Sequence, residues 1–104
     1  MTHHLVSHDN LSKFIDQNIV PCVLKFGAKW CGPCVRIAPE FDELAKRHAH
    51  INFVSIDVDK HRPLMRIHKV QSIPRFDIYK RGSLVKQIVG ADMSAVEDAI
   101  KGML

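Results

Sequence analysis

The apolar segment "PCVLKFGA" at Pro21–Ala28 is the feature that most constrains the fold. Its apolar residues do not alternate with polar ones, as they would in a strand that has one face in water. A nearly continuous apolar run is typical of a strand covered by helices on both faces. The segment "INFVSIDV" at Ile51–Val58 has the same character. The two runs therefore predict a largely parallel sheet inside an α/β protein.

Segments with helical periodicity separate these strands and follow them. The longest contains Pro39, which should kink the helix. Ser72–Ala91 is predicted to form a β-hairpin that turns at Arg81-Gly82. With a short edge strand expected at His3–Val6, the element order is β-α-β-α-β-α-β-β-α. This order predicts a three-layer α/β/α sandwich with a central mixed β-sheet, formed by a single domain over residues 1–104.

Composition and charge narrow the classes of function. A chain of 104 residues can bury one core, and no apolar run approaches the ~20 residues needed to cross a bilayer. The first residues, "MTHHLVSHDN", lack the basic and apolar regions of a secretory signal. The net charge of +4 arises from 15 basic and 11 acidic residues that are interleaved along the chain. We therefore expect neither membrane insertion nor nucleic-acid binding.

The chain contains three cysteines, Cys22, Cys31 and Cys34. A secreted disulfide scaffold would have more of them, usually in an even number, so this usage indicates a reducing, cytoplasmic environment. A structural zinc site needs four ligands, usually from two cysteine or histidine pairs, and only one such pair is present. We therefore expect no metal site. Cys22, inside the first apolar run, is predicted to be a buried apolar residue.

Cys31 and Cys34 fall at the predicted start of the long helix, directly after a buried strand. Unpaired backbone N–H groups at a helix N-terminus stabilise a thiolate, which lowers the pKa of Cys31 and makes it a nucleophile. Cys34 lies one turn further on the same side, close enough to bond to Cys31 and shielded from solvent. Such a pair can open and close as a disulfide.

The sequence resembles the thioredoxin family through four motifs in order. "WCGPC" at Trp30–Cys34 matches the active site of that family, and "IAP" at Ile37–Pro39 follows at the same spacing. "SIP" at Ser72–Pro74 matches the segment with a cis-proline, and "VGA" at Val89–Ala91 matches a loop that contacts substrate. The resemblance implies the thioredoxin fold and a dithiol–disulfide oxidoreductase that reduces disulfides in partner proteins. It also implies that no bound cofactor is needed, because the cysteine pair itself is the redox centre.

The same resemblance implies individual roles. Cys31 would be the nucleophile and Cys34 the resolving thiol, with a cis peptide bond at Ile73-Pro74 that exposes the backbone of Ile73 to a substrate chain. The partners would be disulfide-containing target proteins and a flavin-containing thioredoxin reductase, and the protein would act as a cytoplasmic monomer. The groove that binds the partner chain would be formed by Trp30, Gly32, Pro33, Ile73, Pro74, Arg75, Gly90 and Ala91.

Lys25 is the main departure from the family pattern. The family usually has a buried Asp at this position and a lysine near Ser55 on the next strand. Lys25 could extend to a rim or pair with a carboxylate such as Asp77, without any catalytic part. Alternatively, burial could lower its pKa, so that it acts as a proton acceptor for Cys34 or as a charge that favours the thiolate. An ordered water could also relay the proton.

Two further departures concern recognition. Gly27 stands where the family often has an aromatic residue, and Arg75 follows the proline where the family usually has Thr. Arg75, Lys29 and Arg36 could place positive charge around the mouth of the groove and favour acidic partners. Equally, they could be ordinary solvated charges.

Two other functions compete with reduction. A thioredoxin-fold interaction module would use the groove only for binding. An oxidase or isomerase could arise if Lys25 stabilised the thiolate form, since that change makes the disulfide more oxidising. The Gly-Pro pair between the cysteines favours the reducing role.

Overall fold

The computed structural model describes residues 2–4, 11–15 and 20–103. Within these residues the order of strands and helices is the predicted one, and no helix has both the length and the hydrophobicity to cross a bilayer. Of the predicted edge strand His3–Val6, Leu5 and Val6 lie outside the described residues. The elements are β1 (Thr2–His4), α1 (Leu11–Ile15), β2 (Cys22–Gly27), α2 (Gly32–Arg47), β3 (Asn52–Asp57), α3 (Arg62–Ile67), β4 (Arg75–Lys80), β5 (Ser83–Val89) and α4 (Met93–Lys101).

The five strands form one mixed sheet in the order β1-β3-β2-β4-β5. β1, β3 and β2 are parallel, whereas β4 pairs antiparallel with both β2 and β5. The hairpin turns at Arg81 and Gly82, which both have positive φ angles. The predicted combination of parallel crossovers and a closing hairpin is therefore confirmed.

Helices cover both faces of the sheet and divide the core into two halves. On one face, Leu24 of β2 belongs to the same buried cluster as Leu11 of α1 and Leu64 of α3. On the other face, Val23 packs in a cluster with Phe41 of α2 and Ile100 of α4. Each residue of β2 is buried, which explains why the strand has no polar alternation.

Four residues separate the end of β2 from the start of the helix α2. Cys31 is its N-cap, and a proline occupies the first turn, where a missing N–H costs little. Pro39 lies inside the helix, as the sequence predicts. Because β2 is the central strand, the N-terminus of α2 is held at the carboxyl edge of the parallel strands.

The register of β2 against β4 excludes a pair between Lys25 and Asp77. Lys25 is opposite Phe76, and Leu24 is opposite Asp77. Since neighbouring residues on a strand point to opposite faces, the two charged side chains lie on opposite sides of the sheet. The prediction that Asp77 is the partner of Lys25 is wrong.

The partner of Asp77 is Arg75. The Nε and Nη2 atoms of Arg75 donate to the two carboxylate oxygens of Asp77 at 2.9 and 2.8 Å. Its Nη1 and Nη2 atoms also donate to the carbonyl oxygens of Lys69 and His68, at 2.9 and 2.7 Å. These carbonyls follow the last turn of α3, where a helix leaves acceptors unpaired.

The ion pair lies inside the protein, since Arg75 is 5% exposed and Asp77 is 0% exposed. The guanidinium of Arg75 also lies over the ring of Phe26, 5.4 Å from its centroid. Both interpretations of Arg75 as a surface charge, at the mouth of the groove or solvated, are therefore wrong. Its side chain instead ties the start of β4 to the end of α3.

Removing either member of this pair should destabilise the fold strongly. Arg75→Leu or Asp77→Leu leaves an uncompensated charge in the core, so we expect each to lower the free energy of unfolding by about 3–5 kcal/mol. The double variant should be no less stable than either single variant, because both charges are then absent. Guanidinium chloride unfolding followed by circular dichroism measures all three.

Arg36→Leu is the matched control, because Arg36 is an exposed arginine and its loss should change stability by no more than about 0.5 kcal/mol. Additive losses in the double variant would show that the two charges do not stabilise each other.

Candidate active site

Cys31 and Cys34 are joined by a disulfide, with their Cα atoms 5.2 Å apart. The two residues are only 6% and 5% exposed. The pair therefore has the separation that the sequence predicts for two sulfurs one helical turn apart. Cys34 is shielded beneath the helix start, as expected for the resolving position.

Backbone groups at the start of α2 converge on Cys31. The backbone N–H of Cys34 donates to Cys31 Sγ at 3.3 Å, and the N–H of Val35 donates to the Cys31 carbonyl at 3.0 Å. An amide donor aimed at the sulfur, together with the positive end of the helix dipole, favours a negative charge there. When the disulfide opens, Cys31 is therefore the sulfur that the helix stabilises as a thiolate.

The segment that faces Cys31 contains the predicted cis bond between Ile73 and Pro74. The carbonyl oxygen of Ile73 lies 3.9 Å from Cys31 Sγ. The carbonyl oxygen of Pro74 accepts from the N–H of Gly90 at 2.8 Å. Gly90 has φ 101°, a conformation that favours glycine. The structure thus joins Cys31, Ile73, Pro74 and Gly90 through direct contacts.

The remaining predicted groove residues present exposed side chains or backbone. Trp30 is 70% exposed, and Gly32, Pro33 and Ala91 are also exposed. An exposed indole immediately before the reactive pair is a contact surface rather than part of the core. Arg75 is different, because its side chain is buried in the ion pair with Asp77. A contact between the Arg75 backbone and a substrate stays a prediction.

Asp59 is a contact of the site that sequence reasoning missed. Trp30 Nε1 donates to Asp59 Oδ2 at 2.8 Å, which holds one edge of the exposed indole. Trp30 and Asp59 each follow the end of a parallel strand, β2 and β3 respectively. The carboxyl ends of neighbouring parallel strands meet at one edge of the sheet. The positions of Trp30 and Asp59 in the sequence could therefore have predicted that the two residues lie close together.

Lys25 lies behind the reactive pair and lines the same cavity as Cys34 and Ser55. It is 8% exposed, and burial lowers its pKa, while the charge of Asp42 acts in the opposite direction. Its Nζ lies over the ring of Phe41, 4.7 Å from the centroid. The direction of this pKa change agrees with the alternative in which burial lowers the pKa of Lys25, and its part in proton transfer stays a prediction. Ser55 lies opposite Lys25 on the neighbouring strand β3. This is the position near which the family usually has a lysine.

Cys22 has the predicted structural character. It is 1% exposed, and burial raises the pKa of its thiol to about 12. It therefore stays protonated and unreactive near neutral pH. Over the described ranges 2–4, 11–15 and 20–103, no group of three or more His, Cys, Asp or Glu residues has the arrangement of a metal site.

Comparisons with known proteins agree with this geometry. Residues 2–102 match the family model described as Thioredoxin. Thioredoxin 1 of Plasmodium falciparum is 35% identical over 101 residues, which cover 97% of this chain and 96% of the relative. Thioredoxin Asp f 28 of Aspergillus fumigatus is 37% identical over 84 residues, covering 80% of this chain and 78% of the relative.

Solved structures show the same similarity. A Plasmodium falciparum thioredoxin structure superposes with a TM-score of 0.91 at 33% identity, covering 98% of this chain and 99% of that chain. Fasciola hepatica thioredoxin superposes with a TM-score of 0.90 at 31% identity, covering 95% and 96%. The matched region includes both the reactive disulfide and the cis-proline segment. The chain therefore belongs to the thioredoxin family of thiol–disulfide oxidoreductases, with Cys31–Cys34 as its redox disulfide.

Proposed function

We propose that this thioredoxin reduces disulfides in partner proteins and is itself re-reduced by a flavin-containing thioredoxin reductase. The observation that carries the proposal is the placement of Cys31 Sγ. It receives the Cys34 N–H at 3.3 Å and lies 3.9 Å from the carbonyl oxygen of Ile73. One side of the sulfur is thus stabilised as a thiolate, and the other side faces the segment where a partner chain would lie.

The reaction consists of two thiol–disulfide exchanges. The Cys31 thiolate attacks one sulfur of the partner disulfide, so a mixed disulfide forms and the second partner sulfur leaves as a thiolate. Cys34 loses its proton and attacks Cys31 Sγ, which releases the first partner sulfur. The products are a partner dithiol and the Cys31–Cys34 disulfide, and two electrons have passed to the partner.

Substrate binding is proposed to involve the groove between Trp30 and the loop at Ile73 and Pro74. The exposed indole offers apolar contact area, and an Ile73 backbone held close to the sulfur can pair with an extended chain. Such pairing positions a partner disulfide without demanding a particular side-chain sequence. This arrangement supports a protein substrate rather than a small molecule.

We further assign the protein to the cytoplasm as a monomer. Of its three cysteines, two form the redox pair, and the third is buried and cannot cross-link two copies. The scarcity of cysteines supports a reducing compartment. Light scattering after size exclusion, under reducing and oxidising conditions, tests the monomeric state.

The role of Cys31 predicts fast and selective alkylation. In the reduced protein, iodoacetamide should modify Cys31 at pH 7 about tenfold faster than it modifies a peptide thiol, because more of Cys31 is thiolate. Cys22 should remain unmodified, since its pKa of about 12 keeps it protonated. Peptide mass mapping of the alkylated protein identifies each site.

Cys31→Ser is the matched variant, and it should abolish the fast phase. A Cys31 rate equal to that of a free peptide thiol would contradict the proposed nucleophile.

The direction of electron flow is tested by the reduction potential. A reducing protein should have a reduction potential of about −270 mV. Turbidity assays should also show dithiothreitol-dependent reduction of insulin. A potential above about −200 mV would assign the protein to oxidation or isomerisation instead. Failure to reduce insulin would favour a binding module.

Lys25 is proposed to supply a positive charge that favours the thiolate of Cys34 during the second exchange. Lys25→Met should therefore slow insulin reduction at neutral pH. Because burial lowers the pKa of Lys25, the wild-type protein loses this charge as the pH rises through that lowered value. The wild-type and variant rates should then converge in the alkaline range.

Rates measured across the pH range, with Lys86→Met as a control at an exposed lysine, test this role. Identical profiles for wild type and Lys25→Met would eliminate any part of Lys25 in proton transfer. A difference that widens at alkaline pH would instead make the neutral amine a base and contradict the charge role.

A further inference from the structure

A cavity of ≈300 Å³ lies beside the reactive pair, on the side of Cys34. It is bounded by the carboxyl ends of the parallel strands β1, β3 and β2 and by the first turns of α2. In α/β proteins the space outside the carboxyl ends of parallel strands is the usual place for a ligand. The cavity is at the lower end of the size range of small-molecule sites.

Gly27 leaves the space open. A Cβ at this position would lie 3.4 Å from both Cβ and Sγ of Cys34, so a side chain here would extend between β2 and the helix start. The contact is an ordinary van der Waals distance, and Gly27 has no positive φ angle that would require glycine. The backbone conformation therefore does not demand glycine here, and a Cβ would stand at the close limit of van der Waals contact with the buried Cys34. With glycine, no side chain occupies the space between β2 and Cys34.

The described lining carries more positive than negative charge. Lys25, Lys29 and Lys60 line the cavity, and Asp57 is the single carboxylate among the described lining residues. One oxygen of Asp57 already accepts the backbone N–H of Asp59 at 2.9 Å. Lys25 is the buried residue among these three lysines. It is therefore the group best placed to bind an anion inside the cavity.

The ammonium of Lys25 has only weak compensation. Within the part of the chain that the structure describes, its contacts are the ring face of Phe41 and the charge of Asp42. The Oδ1 atom of Asp42 is engaged as acceptor of the Thr2 hydroxyl at 2.6 Å. No described side-chain nitrogen that is sealed from solvent lacks a hydrogen-bond partner, so the Lys25 ammonium, which has no described carboxylate in salt-bridge contact, reaches solvent. An anion bound in the cavity can replace water as its partner.

The rest of the described lining is apolar or small. Ala28, Val35, Ala38 and Ile56 supply most of this surface, so an ion with no apolar part would leave it unfilled. We propose that the cavity binds a small organic carboxylate with an apolar body, its charge toward Lys25 and its body against the wall next to Cys34. This binding does not require the redox reaction proposed above, although it involves the same Lys25.

Benzoate is a suitable probe, and benzamide is its uncharged counterpart of the same shape. Titration of the oxidised, ¹⁵N-labelled protein with benzoate should give saturable amide shifts centred on Gly27, Ala28 and Ser55. A ligand this small should bind with a Kd of about 1 mM. Benzamide should bind at least about tenfold more weakly, because it carries no charge.

Variants test the contribution of the Lys25 charge and that of the cavity volume separately. Gly27→Trp and Gly27→Leu fill the cavity and should abolish the saturable shifts, and Lys25→Met should weaken benzoate binding to the level of benzamide. Lys86→Met removes an exposed lysine on β5 and should leave the affinity unchanged.

The proposal is overturned by equal affinity for benzoate and benzamide, by shifts that rise linearly without saturation, or by undiminished binding to a folded Gly27 variant. Should both Gly27 variants fail to fold, benzoate affinity in Lys25→Met that equals the wild type overturns it alone. Since the titration uses the oxidised protein and measures binding only, its result does not depend on disulfide reduction.

Discussion

The burial of β2 on both faces is the constraint from which the active site follows. Helices pack against both sides of this central strand, and β3 and β4 pair with its two edges. Its carboxyl end is therefore fixed in all directions. The short connection to α2 then places Cys31 at the N-terminus of a helix that is itself packed on the sheet through Phe41 and Leu44. Cys31 therefore belongs to the buried core and is only 6% exposed.

Three charged residues penetrate this core, with the pair Arg75 and Asp77 on one face of the sheet and Lys25 on the other. Arg75 and Asp77 neutralise each other, and the spare guanidinium donors satisfy carbonyls at the end of α3. Lys25 has no comparable partner in the described structure and is compensated by an aromatic ring and a more distant carboxylate. The first arrangement stabilises a fixed structure. The second leaves a charge whose pKa is lowered by burial, next to the cavity that Cys34 also lines.

Much of the fold and the reactive pair could be predicted from the sequence, because the signals are local. An uninterrupted apolar run defines β2, and Cys31, Gly32, Pro33 and Cys34 define the redox helix start within four consecutive residues. The partner of Asp77 and the position of Arg75 could not be predicted from local signals. Both depend on which face a strand residue occupies, and a shift of one residue reverses that face. The hydrogen bond between Trp30 and Asp59 likewise depends on where the carboxyl ends of β2 and β3 lie relative to each other.

The hydrogen bonds from Arg75 to the end of α3 form a clamp that constrains the length of the loop at residues 70–74. Its guanidinium holds the carbonyls of His68 and Lys69, while its own backbone is paired into the sheet opposite Phe26 and Val89. The intervening residues 70–74 are thus closed into a small ring by a side chain, with Ile73 at the point that faces Cys31. An inserted residue would enlarge this ring and a deletion would shorten it, and either change would move the Ile73 carbonyl relative to Cys31 Sγ. Variation in the length of this loop is therefore incompatible with retention of both the clamp and the groove, even where the individual side chains are free to change.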